Sequence, residues 1–177
     1  GGLPGSGNDI TGTLTNPLNT AQTAIYTVTP VSPAGPCTGS TFTVTVTVNP
    51  MPSVNNFTPA ICSGSSFTVN PVDGTDGIIP SGTTYTWTAP TVDVGITGGT
   101  ASTNAASISG TLTNSTSSPL TATYSVTPKS GSCTGTPFTI TVTVNPKPAI
   151  TAMTSVICSE ETFTVTPADG TNGLDIG

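Results

Sequence analysis

Four cysteines, Cys37, Cys62, Cys133 and Cys158, and a few carboxylates are the residues of this 177-residue chain whose types could do chemistry. The cysteines can be oxidised to disulfides. Asp73 and Asp76 lie in Asp73-Gly-Thr-Asp76-Gly, and Asp169 and Asp175 in Asp169-Gly-Thr-Asn172-Gly-Leu-Asp175. Oxygen ligands spaced by turn glycines could serve a Ca²⁺ ion, which wants six to eight of them. The same spacing suits a pair of Asx turns, since Asp-Gly is a common turn dipeptide. Both readings stand on the sequence, and no other cofactor or metal is expected.

The chain contains no histidine. Ser-His-Asp, Cys-His and His-metal chemistry are therefore excluded, and no catalytic residue is assigned. Glu160 and Glu161 are adjacent on an expected strand edge, which points them to opposite faces and reads as a solvated edge rather than a catalytic pair. Intramolecular amide or ester crosslinks need a buried Lys-Asn or Thr-Gln pair. Lys147 falls in a connector, Lys129 in an expected loop, and the only glutamine, Gln22, is replaced by Leu120 in the next repeat.

The elements that must position these groups are strands. Lys and Arg total 2 against 8 acidic residues, a net charge of -6, and threonine occurs 40 times. So few cations leave nothing to neutralise nucleic-acid phosphates or hold an anionic bilayer. Apolar runs are too short for a membrane-spanning helix or a secretory h-region, so no direct membrane insertion is expected. Thr, Val, Gly and Pro dominate over helix formers, which predicts an all-β chain. Four cysteines in so polar a sequence fit an oxidising, extracytoplasmic compartment.

The segment Thr41–Pro52 (TFTVTVTVNPMP) returns as Pro137–Pro148 (PFTITVTVNPKP). In each copy apolar residues alternate with threonine, the period of a half-buried strand, and Asn-Pro-X-Pro then stops the ladder as a short stiff connector. Thr11–Asn16 returns as Ser109–Asn114 and Tyr26–Pro30 as Tyr124–Pro128, both 98 residues on. Cys37-Thr-Gly, Asn49-Pro50, Ile61-Cys62-Ser and Asp73-Gly-Thr return 96 residues on. The chain thus divides into the C-terminal half of one module (residues 1–50), a complete module (51–146) and the N-terminal part of a third (147–177). A period of that size suits a self-sufficient sandwich rather than a solenoid.

Within 51–146 the alternation predicts seven strands at Val54–Ala60, Ser66–Val72, Thr83–Ala89, Val92–Thr97, Ala106–Thr113, Leu120–Thr127 and Phe138–Val144. Phe67, Val69, Tyr85, Trp87, Ile108, Leu112, Tyr124, Val126, Phe138, Ile140, Val142 and Val144 would point inward. Trp87 is expected as the central core aromatic and Tyr124 as a tyrosine corner, whose hydroxyl bonds nearby backbone.

Each module carries one cysteine in its first turn (Cys62, Cys158) and one in its last hairpin loop (Cys37, Cys133). Alternating strand directions put these at opposite ends of a sandwich, ~30 Å apart, whereas a disulfide needs Cα atoms within about 7 Å. A bond between the first-turn cysteine of one module and the last-loop cysteine of the next is therefore preferred, so that none of the four pairs with another. Cys62–Cys133 is the alternative.

Ile61–Val69 (ICSGSSFTV), Thr84–Trp87 (TYTW), Ala122–Pro128 (ATYSVTP), Cys133–Gly135 (CTG) and Val142–Pro146 (VTVNP) resemble the PKD-like, Ig-like repeats of very large surface proteins of gliding, type IX-secreting Bacteroidota. The resemblance covers the whole chain. It implies tandem antiparallel β-sandwich modules of about seven strands, in a secreted cell-surface adhesin whose partners are neighbouring modules and a surface ligand or polysaccharide. A subunit of an extracellular filament, or a carbohydrate-binding module on a secreted enzyme, is the alternative. A row of exposed aromatics would mark the last of these.

Overall fold

The structure, a computed structural model, describes residues 5–35 and 37–168. Their regular elements are all strands: β1 (Gln22–Val28), β2 (Phe42–Val48), β3 (Ser53–Val54), β4 (Ala60–Cys62), β5 (Ser66–Val69), β6 (Gly77–Ile78), β7 (Thr84–Trp87), β8 (Thr91–Val92), β9 (Ile96–Gly98), β10 (Ser102–Ala105), β11 (Ile108–Asn114), β12 (Leu120–Ser130), β13 (Cys133–Thr134) and β14 (Phe138–Asn145). Among the described residues no helix is long and apolar enough to cross a membrane.

The chain packs as two compact units. The first comprises the residues up to Val54, Pro71–Thr84 and Pro128–Thr136, and the second Asn55–Asn70, Tyr85–Thr127 and the residues from Pro137 on. Each unit therefore mixes residues from more than one repeat.

The second unit is an all-β sandwich. One layer runs in the order β10-β7-β12-β14-β4, with β8 also on β12, and the other in the order β5-β11-β9. The twelve positions expected to point inward are all buried, with Ile108, Leu112, Tyr124, Val126, Ile140, Val142 and Val144 fully so. Alternation is why: on a pleated strand every second side chain faces the opposing sheet, and here those are the apolar ones. Phe67 of β5 meets Tyr124 of β12 edge-on across the sandwich, ring centres 5.3 Å apart at 60°.

Four expectations change. The first predicted strand, Val54–Ala60, is broken. Ser53–Val54 pairs elsewhere, Phe57 forms an isolated bridge to Ile140, and β4 joins β14 in parallel. Pro59 cannot donate to a ladder, so this edge is held by single bonds, such as Thr141 N–H to Phe57 O (2.9 Å) and Thr143 N–H to Pro59 O (2.9 Å). The predicted Ser66–Val72 ends at Val69, before Asn70-Pro71, because proline restricts its predecessor.

The predicted Val92–Thr97 divides into β8 on one layer and β9 on the other, the chain crossing through Asp93 and Gly95. The Asp93 carboxylate accepts from Thr121 N–H (2.7 Å) and Oγ1–H (2.9 Å), and those bonds hold it below the usual carboxylate range. Finally, β10 and β13 carry no alternation and were not expected. β10 is an irregular edge strand with Asn104 at a φ of 53°.

Tyr124 is not a tyrosine corner. Its hydroxyl is buried without a hydrogen-bond partner, packed so closely that a Cβ on Gly99 or Gly110 would lie 2.8 or 3.0 Å from it. An orphaned buried hydroxyl is a cost rather than a support. Tyr124→Phe is therefore expected to leave stability unchanged or raise it by about 1 kcal/mol in thermal denaturation. A corner would instead lose a bond.

The pH dependence separates the two further. Burial raises the Tyr124 phenol above its ordinary 10.0. The unfolded chain ionises first, so this contribution is whole below about pH 10 and is lost as pH rises through the raised folded value. Tyr124→Phe should flatten that alkaline decline.

Candidate functional site

The built feature of the first unit is the connector between repeats. Asn49-Pro50-Met51-Pro52 leaves β2, and Pro50 and Pro52 are buried while Met51 is 53% exposed. The connector then becomes a strand: Ser53 and Val54 of β3 pair antiparallel with Ile78 and Gly77 of β6. A short stiff connector was the expectation, and its backbone polar groups are absorbed by the repeat it leads into.

Two glycines make this possible. A Cβ on Gly77, whose φ of 133° already disfavours other residues, would lie 2.0 Å from the Ser53 carbonyl oxygen. At Gly135, in the repeated Cys-Thr-Gly, it would lie 2.0 Å from the Pro52 carbonyl oxygen. Gly135 has no positive φ, so its need for glycine is close approach alone. Gly135→Ala is expected to displace the connector and cost about 1–3 kcal/mol by overpacking, leaving the buried sandwich positions of the second unit unaffected. Hydrogen exchange checks it: protection should fall at β3 and β6 while β11 and β14 keep theirs.

The loop before β6 positions the two aspartates. Asp73 Oδ1 accepts from Ile79 N–H (2.8 Å), Asp73 Oδ2 from the Asn19 amide, and Asp76 Oδ2 from Val72 N–H (2.8 Å). The two backbone bonds reach six residues ahead of Asp73 and four behind Asp76 and staple the loop; neither is the two-residue bond of an Asx turn. Asn19 lies in the turn between Asn16 and β1, so this bond ties the first repeat to a loop of the second. Among the described residues no three His, Cys, Asp or Glu side chains gather as a metal cluster. Asp169 and Asp175 lie outside the described residues.

The cysteines are distributed as follows. Cys37, Cys62 and Cys158 are exposed, Cys133 is half-buried, and all four are free thiols. Cys133 opens β13 opposite Ser130, while Cys62 stands opposite Asn145, the last residue of β14. Glu160 and Glu161 are in a turn rather than on a strand. Glu161 Oε2 accepts from Cys158 N–H (3.1 Å), and Glu160 has a φ of 73°. Lys129 sits on β12, not in a loop.

Sequence reasoning passed over Asn114. Its Nδ2 donates to Ser118 O (2.8 Å) and Val144 O (2.9 Å), its Oδ1 accepts from Thr116 N–H (2.8 Å), and its backbone exchanges bonds with Ser63 Oγ. It is a buried polar residue of the sandwich, 6% exposed. Asn16 repeats the pattern, donating to Thr20 O (2.8 Å) and Val48 O (2.9 Å). The signal was present: in Ile108-Ser-Gly-Thr-Leu112-Thr-Asn114 the asparagine takes an inward position.

These features define a class, the Ig-like β-sandwich module. Residues 2–52 and 59–148 match the PKD-like domain, and the chain belongs to that family. No curated protein matches the chain.

Proposed function

We propose that the chain is a structural and adhesive repeat segment of a large secreted cell-surface protein, of the kind that gliding bacteria export by the type IX route, and that it has no catalytic activity. The connector carries this reading. Buried prolines, the β3–β6 pairing and the Gly77 and Gly135 approaches turn the joint between repeats into a packed structure. That is a property of a spacer that must transmit position, and it serves no chemistry.

Threonine-rich outward faces keep such a surface soluble with little charge. Within the second unit Thr121 stands opposite Thr143 and Thr123 opposite Thr141. Five of the six aromatic residues of the complete repeat, Phe67, Tyr85, Trp87, Tyr124 and Phe138, are buried, and the sixth, half-buried Phe57, packs edge-on against Phe138 with ring centres 6.1 Å apart, so they make no exposed row of the kind a sugar-binding platform needs. This favours a spacer over a carbohydrate-binding module.

Antibody raised against the folded repeat should label intact cells, and a strain lacking the protein should attach less to surfaces. Labelling only after permeabilisation would contradict the location. Undiminished attachment would remove the adhesive part of the reading.

A further inference from the structure

Two observations place the two kinds of cysteine at the two connectors that flank a repeat, the first-turn cysteine at the one that leaves it and the last-loop cysteine near the one that enters it. Cys62 pairs in parallel with Asn145 at the end of β14, and Ser63 N–H donates to Asn145 O (2.8 Å). The first-turn cysteine of a repeat therefore lies where its own last strand enters Asn-Pro-X-Pro. At the preceding connector, Gly135, two residues after Cys133, packs on Pro52. Pro52 is three residues after Asn49, the counterpart of Asn145.

The last-loop cysteine of a repeat thus approaches the connector that leads into it. β1 and β2 pair in the register of β12 and β14, with Gln22 opposite Val48 as Leu120 is opposite Val144, which justifies carrying one geometry to the other. Three connector residues span ~10 Å, against ~23 Å from Phe138 to Asn145 along β14, the length that keeps Cys62 from the loop preceding that strand.

We propose that, where one repeat follows another, these two cysteines form a disulfide, and that the bonds together make a pair of covalent straps that bypass the sandwich cores. Each bond forms from two thiols. Their two electrons and two protons pass to a disulfide-bearing oxidant of the extracytoplasmic space, which leaves as a dithiol. Exposed Cys62 and half-exposed Cys133 are open to such exchange.

The consequence follows from chain order. Cys133 and Cys158 are 25 residues apart, while the first-turn cysteines Cys62 and Cys158 are 96 apart. A bond from the first-turn cysteine of one repeat to the last-loop cysteine of the next skips most of two repeats. The shortest covalent path then runs through those 25 residues (last strand, connector and first strand) before the next bond skips two more. Alternate bonds form a second, interleaved strap. Extension per two repeats is capped at ~90 Å, whereas one fully unfolded, unbridged repeat of 96 residues releases ~340 Å.

This deepens the reading of the chain as a tandem extracytoplasmic array and is tested on the protein as cells make it, isolated with thiols blocked. Single molecules pulled without reductant should show no ~340 Å steps, and such steps should appear after dithiothreitol. Full-length steps without reductant would overturn the straps. A bond within one repeat would also shorten the steps, so peptide mapping accompanies the pulling. Cys62 and Cys133 should each be linked to a peptide of another repeat. A Cys62–Cys133 peptide, or alkylated thiols throughout, would overturn the proposal, and neither result would disturb surface labelling of intact cells.

Discussion

Asn114→Asp should destabilise the complete repeat by about 3–5 kcal/mol, the range for an uncompensated buried charge. The substitution changes almost no volume. It replaces an amide that donates to Ser118 O and Val144 O with a carboxylate facing those same two oxygens. Both carbonyls lose their donor, and a charge is introduced at a site 6% exposed to water. A domain of this size has only about 5–15 kcal/mol in total. Circular dichroism of the melting transition should show a fall of about 20 °C. Asn16→Asp removes the corresponding bonds to Thr20 O and Val48 O in the first repeat. A shift of only a degree or two in Asn114→Asp would mean that the asparagine is not the clasp joining β11, the following turn and β14.

Trp87→Ala is expected to cost about 3–5 kcal/mol, the range for deleting a large buried aromatic. Trp87 is 5% exposed, and its Nε1–H donates to Thr100 O (2.9 Å), while its backbone faces Ser102 on β10. Truncation opens a cavity and leaves the Thr100 carbonyl without its donor, so β10 should lose protection before the rest of its layer. Trp87→Phe keeps most of the volume and forfeits the bond, and about 1–2 kcal/mol is expected. Hydrogen exchange and calorimetry read both, since the substitutions remove the only tryptophan.

The core was legible in the sequence because strand alternation maps directly onto burial. Phe67 and Val69, Tyr85 and Trp87, and the four apolar residues of β14 are buried as their spacing requires. The repeat was legible for the same reason, closely similar strands returning 98 or 96 residues on.

Where alternation is absent, so was the signal. β10 and β13 are short edge pieces held by their neighbours rather than by an apolar face. The region around Asp93 reads as one strand because nothing local announces that Val92 and Ile96 serve different layers. Tyr124 is a lesson in the other direction: its place in the sequence suggested a corner, and its hydroxyl is orphaned. The connector was read from its prolines as short and stiff. That Gly77 and Gly135 receive it depends on residues 25 and 83 positions away from Pro52, which no local pattern encodes.

The central claim, a repeat segment of a large surface protein, is tested most directly by the mass of the denatured natural polypeptide, on gels of whole cells with and without external protease. A broad-specificity protease is required, because the only basic residues are Lys129 and Lys147, and Lys147 precedes proline. The account predicts a species far larger than the 17.4 kDa of this chain that disappears when intact cells are treated. A species of two or three repeats, or one that survives external protease while cytosolic markers stay intact, would contradict it.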